Sequence, residues 1–145
     1  MSMTPGKEQI VVGIDGSPHS HAALSWAVDE ARLRGRSLRI VYVFPAMISI
    51  VGTAAHDYYP RVEKEARETF EKALSSAPSF DGLDVERDII PGNPAEQLVA
   101  ASHGANLLVV GSRGLGTFRG MLLGSVSMHC AQQAHCPVVV VRTED

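Results

Sequence analysis

The chain has 145 residues, enough for one domain with a full core. Apolar residues make up 45% and charged residues 20%, an ordinary globular balance, and the formal charge of −3 leaves no basic footprint for nucleic acid. No apolar run approaches the roughly 20 residues of a membrane helix, and the N-terminus MSMTPGKEQ lacks the charged and apolar regions of a signal peptide. Two cysteines, Cys130 and Cys136, make no disulfide framework. A cytoplasmic protein with no nucleic-acid and no membrane partner is the simplest expectation.

Met1 to Glu8 reads as a loose tail. Gln9 to Ile14 is a short, β-branched apolar run and reads as a buried strand. Asp15-Gly16-Ser17-Pro18 is a dense turn signal. Ser17 or Ser20 can cap a helix running to about Arg34. Its residues Ala23, Leu24, Ala27, Val28 and Ala31 recur at helical spacing, and Gly35 stops it. Trp26 reads as packing at the edge of that helix. Leu38 to Phe44 is a second strand, ended by Pro45.

The segment Ala46 to Tyr59 is apolar, without a firm period. A long apolar connection of this kind is expected to cover a ligand or a partner. Pro60 to about Ala77 is helical in pattern, with Pro60 in its first turn and a charged outer face. Val85 to Ile90 is a third strand, polar enough for a sheet edge. Pro91-Gly92-Asn93-Pro94 is a turn in which Asn93 caps a short helix, Ala95 to Ser102. Asn106 to Val110 is a fourth strand. Ser125 to Ala134 is a last helix, with Val126, Cys130, Ala131 and Ala134 on one face. Pro137 to Arg142 is a fifth strand. Its four consecutive valines are too apolar for an open edge, and pairing with the same strand of a second copy would cover them.

Strands alternating with helices predict a single α/β domain, doubly wound, with a five-stranded parallel sheet and helices on both faces. Periodicity alone does not choose between the two common strand orders.

The stretch between the fourth strand and the last helix carries the function. It reads GSRGLGTFRGMLLGSVS, from Gly111 to Ser127, with five glycines. A loop of low bulk lets backbone N–H groups approach a ligand, and such groups together suit an anion. Ser125 stands where a helix N-cap is expected, and a helix N-terminus favours phosphate. Strand, phosphate-cradling loop and helix is the physical reading.

The spacing Gly111, two residues, Gly114, nine residues, Gly124-Ser125 resembles the G-2x-G-9x-G-[ST] pattern of the ATP-binding branch of the universal stress protein family. The resemblance spans nearly the whole chain. It implies the strand order 3-2-1-4-5, which sets Asp15 and the Gly111 loop against one crevice. It implies a regulatory or sensing role in stress responses, and with the apolar fifth strand the expected partner is a second copy, in a homodimer through Pro137 to Arg142. It also implies contacts to nucleotide from Gly13, Ile14 and Asp15, from Val43 beside adenine, and from Gly111, Ser112, Arg113, Gly114, Gly124, Ser125, Val126 and Ser127; Gly116 of the glycine loop is a further candidate.

Each residue has a plainer role open to it. Asp15 can hold ribose or a magnesium ion against phosphates, or can cap a turn. Val43 can be core, and Arg113 can be solvated. Gly114, Gly116 and Gly120 mimic a dinucleotide fingerprint, but that motif belongs after a first strand with an acidic residue about 20 positions on, where this chain has valines. His129, Cys130, His135 and Cys136 match no zinc spacing. There is no Walker lysine and no nucleophile elbow. The expected ligand is ATP, with Mg2+ as a possible companion. A slow ATPase, or an interaction module for AMP or a cyclic nucleotide, could use the same site.

Overall fold

The computed structural model describes residues 8–45, 53–114 and 122–143, with backbone alone at 53–59. Five parallel strands lie in the order β3-β2-β1-β4-β5, as the family resemblance implied. They are β1 (Ile10–Ile14), β2 (Leu38–Phe44), β3 (Val85–Pro91), β4 (Leu107–Gly111) and β5 (Val138–Val141). The helices described are α1 (Pro18–Arg34), α2 (Thr53–Ser75), α3 (Pro94–Ala101) and α4 (Ser125–Gln133).

Alternation along the strands splits the core in two. Ile10, Val12 and Ile14 of β1 join Ile40 and Val109 under α1 and Phe70 of α2. Val11, Val41, Val43, Leu108 and Val110 face the other way, onto Leu98 of α3 and Cys130 of α4. The central strands are buried on both faces, which explains their unbroken apolar runs. Cys130 is fully buried, and burial pushes its thiol up to about 11. Trp26 is half-buried against the first core.

Helix ends follow their sequence signals. Ser17 Oγ accepts the Ser20 N–H at 3.2 Å, which makes Ser17 the N-cap of α1. Gly35 has φ of 63°, and the Arg36 N–H reaches back to Ala31 O at 2.9 Å. Asn93 Oδ1 accepts the Glu96 N–H at 3.0 Å and caps α3. Ala23, Leu24, Ala27, Val28 and Ala31 are all buried, as their spacing predicts.

Four expectations are corrected. The second helix begins at Thr53, and Pro60 lies inside it. A proline forfeits one N–H bond, which a long helix can absorb when the remaining turns are packed. Here Ala66 and Phe70 supply buried packing, and Phe70 lies 6.0 Å from the Tyr42 ring. The N-cap of α4 is Gly124, so Ser125 is its first helical residue and offers no side-chain cap. Ala131 is exposed, because α4 turns only a narrow face inward through Val126 and Cys130. Glu8 is tied down: its N–H meets Gly104 O at 2.6 Å and its carboxylate pairs with Arg36. Residues 1–7 of the expected tail, and most of the expected cover at Ala46 to Tyr59, lie outside the described residues and side chains.

The two sheet edges differ. Along β3, Arg39 of the neighbouring strand binds Asp88 at 2.6 Å, and Arg87 lies over the Phe80 ring. Charges of this kind discourage strand addition. Along β5 all four valines are only half-buried.

Candidate nucleotide site at the carboxyl ends of the strands

In a parallel sheet all carboxyl ends meet at one edge. Here β1 leads outward to β2, while β4 leads to β5 on the other side. The strands diverge at that point and leave a crevice between the segments that follow them. It holds a cavity of about 360 Å³. That size suits a small-molecule or cofactor site, roughly 300–1,000 Å³.

Ten predicted residues line it: Gly13, Ile14, Asp15, Val43, Gly111, Arg113, Gly114, Ser125, Val126 and Ser127. They come from three separate stretches of the chain and meet only through the fold. One wall is apolar, where Val43, Leu98, Val110 and Val126 cap the second core. The rest is polar, with Asp15 and Arg113 bringing opposite charges and Ser125 exposed at the start of α4.

Asp15 holds two positions at once. Its Oδ1 accepts the Ser17 N–H at 2.8 Å and closes the turn, while its own N–H donates to Ser20 Oγ at 3.2 Å. Its Oδ2 faces Gly114, where a Cβ would overlap the carboxylate. Gly114 is glycine because Asp15 occupies the space a side chain would need.

Two other glycines have similar neighbours. A Cβ on Gly111 would lie 2.8 Å from the His19 carbonyl carbon and oxygen, so bare backbone lets β4 close on α1. A Cβ on Gly13 would meet Leu98 at 2.7 Å, so Gly13 makes room for one cavity wall. The glycine spacing therefore encodes close packing around the cavity as well as low bulk inside it.

Ser112 and Gly124 do not line the cavity. The Gly124 N–H donates to Ser112 O at 2.7 Å, and the Ser112 N–H donates to Val141 O at 2.8 Å. Neither N–H is offered to a ligand. Ser127 Oγ is 2.9 Å from Ser112 O and 3.0 Å from Gly124 O, so its proton serves the backbone. The hydroxyl of Ser127, one of the contacts the resemblance implies, is engaged in that clasp. Gly116 lies outside the described residues.

The start of α4 has the features that suit an anion. Its first intrahelical bond runs from the Met128 N–H to Gly124 O at 3.0 Å. The N–H groups of Ser125, Val126 and Ser127 precede that bond, and Gly124 supplies no side chain to cap them. All three residues border the cavity, so the positive end of the helix dipole is directed there.

Sequence reasoning missed Ser20, Val41, Tyr42, Pro45, Pro94, Leu98 and Val110, which also line the cavity. Leu98 had a weak signal, as the one leucine of a short helix that opens at the same edge. Tyr42 had none, since an aromatic residue in a strand usually means core. Burial pushes its phenol above 10, a hydrogen bond with Thr69 opposes this, and the Asp15 charge adds to the rise.

The profile described as the universal stress protein family matches residues 7–142. The chain belongs to the universal stress protein family. Universal stress protein Rv2624c of Mycobacterium tuberculosis is 36% identical over 141 residues, covering 97% of this chain and 50% of its own length. The chain spans about half the length of the curated universal stress proteins it matches. Among solved structures, the hypothetical protein MJ0577 superposes with a TM-score of 0.80 at 23% identity, covering 95% of this chain and 97% of that one. It shares the fold. A universal stress protein solved in complex with cAMP has a TM-score of 0.62 at 28% identity, covering 96% and 99%.

The Gly111 contact yields a stability prediction. Gly111→Ala forces a methyl group against the backbone of α1 and should cost about 1–3 kcal/mol. Urea denaturation measures it. An unchanged midpoint would mean that α1 is not held against β4 at this residue.

Proposed function

We propose that this universal stress protein binds an adenine nucleotide at the carboxyl ends of β1 and β4, with ATP as the expected ligand, and acts as a regulatory or sensing module in the cytoplasm. One observation carries the reading: ten of the thirteen predicted contact residues border a single cavity at an uncapped helix N-terminus. The apolar wall of Val43, Leu98 and Val126 suits the flat faces of adenine. The first turn of α4 and Arg113 suit phosphate. Asp15 is within the same crevice for ribose hydroxyls or a magnesium ion.

The fit to magnesium is partial. Asp15 offers one carboxylate, and among the described residues no group of three His, Cys, Asp or Glu side chains could hold a metal. Phosphate oxygens and water would have to complete the shell, which is how this cation commonly binds. The related protein in complex with cAMP favours a second reading, in which a nucleotide monophosphate is the ligand.

A homodimer through β5 belongs to the same proposal. The β3 edge carries Glu86, Arg87 and Asp88, whereas β5 offers four half-buried valines. Leu122 and Met128 add exposed apolar surface just before and within α4. Among the described residues, no helix is long and apolar enough to cross a membrane.

Gly114→Val should weaken ATP and AMP binding at least about tenfold, because the side chain displaces Asp15 or enters the cavity. Equilibrium dialysis measures the loss, and circular dichroism checks the fold. Unchanged affinity for both nucleotides would contradict the site. Val140→Glu should shift the protein toward monomer in sedimentation velocity, since it sets a charge on the β5 edge. An unaltered dimer would move the interface elsewhere.

A further inference from the structure

We propose that nucleotide binding strengthens dimerisation, and that Ser127 and Ser112 are the positioning residues that transmit the effect from α4 to β5. The inference rests on the nucleotide reading of the cavity and on β5 as the dimer edge, and it adds a regulatory link between them.

The link is a short run of hydrogen bonds. Ser127, in the first turn of α4, sets its hydroxyl 2.9 Å from Ser112 O. The Gly124 N–H donates to the same oxygen at 2.7 Å. The other side of Ser112 donates its N–H to Val141 O, the last residue of β5, at 2.8 Å. Ser112 and Ser127 are almost wholly buried, so water does not compete easily for these bonds. The end of the helix that faces the cavity is thus two hydrogen bonds from the end of the edge strand.

A second tie holds the same strand. Thr143, just past β5, has its hydroxyl 2.6 Å from His19 Nδ1 on α1. The His19 backbone is the surface on which Gly111 packs. The chain leaving β5 is therefore anchored to both elements that flank the cavity mouth, α4 through Ser112 and α1 through His19.

The physical consequence follows from ordering. A ligand held by the first-turn N–H groups of α4 narrows the motion of that turn. Two bonds to one carbonyl then narrow the motion of Ser112, and its N–H narrows that of Val141. An edge strand that is already ordered loses less conformational entropy when it pairs with a second copy. Reciprocity requires that dimerisation tighten nucleotide binding, the factor seen in the dimer constant being shared over the two sites of the dimer.

The test uses the full chain. The dimer dissociation constant is measured by sedimentation with and without saturating AMP, and again with Mg-ATP. Wild type, Ser127→Ala and Ser127→Thr are compared, with bound nucleotide quantified by equilibrium dialysis in the same buffer. Wild type should dimerise at least about fivefold more tightly with nucleotide, a typical coupling between sites. Ser127→Ala should reduce the effect below about twofold, and Ser127→Thr, which keeps the hydroxyl, should restore it. If Ser127→Ala does not fold, Thr143→Val removes the second tie outside the cavity and should also shrink the effect. Bound nucleotide with an unmoved wild-type constant overturns the coupling alone. So does a full effect retained in Ser127→Ala, or a chain that stays monomeric with nucleotide bound. No bound nucleotide at millimolar concentration overturns the cavity reading and the coupling with it.

Discussion

The cavity depends on the close approach of Gly114 to the Asp15 carboxylate. These residues end segments almost a hundred positions apart, and the parallel sheet brings them to one edge. Register does this work. Ile10 pairs with Leu38 on one side and Leu107 on the other, so β1, β2 and β4 start level. Ile14 pairs with Tyr42, and the β1–α1 turn and the β4–α4 loop leave at nearly the same height. Any side chain at position 114 would have to push the carboxylate aside. The loop sequence is constrained by a neighbour within the protein before any ligand is considered.

A second constraint acts behind the cavity wall. The Ser112 backbone joins α4 to β5, and its bonds engage the N–H groups of Ser112 and Gly124 within the protein. Motif spacing marked both residues because they are part of the same turn. It could not distinguish a group that faces the cavity from one that holds the group that does. The same holds for Ser127, whose hydroxyl lies between two backbone carbonyls.

Much of the fold was legible because its signals are local. Leu38–Phe44 has the predicted bounds, and Gly35, Asn93 and Ser17 end or begin helices through their own backbone or side-chain chemistry. The strand order was not local; it came from the family resemblance and agrees with the sheet. The start of α2 was missed because Pro60 reads as a first-turn residue, while the turns before it are helical all the same. Leu98 and Tyr42 were missed as cavity residues because their places in the wall follow from tertiary packing. Gly111 and Gly13 border the cavity, but their neighbours His19 and Leu98 lie in other elements that spacing cannot reveal.

The central claim is that an adenine nucleotide occupies the cavity between the ends of β1 and β4. A chain of 15.5 kDa is well suited to a two-dimensional amide NMR titration with Mg-ATP and with AMP. The account predicts saturable shifts at Gly13, Asp15, Val43, Gly111, Gly114 and the first turn of α4, with smaller changes at Val141. Saturable shifts centred on another surface, or no shifts at millimolar nucleotide, would contradict it.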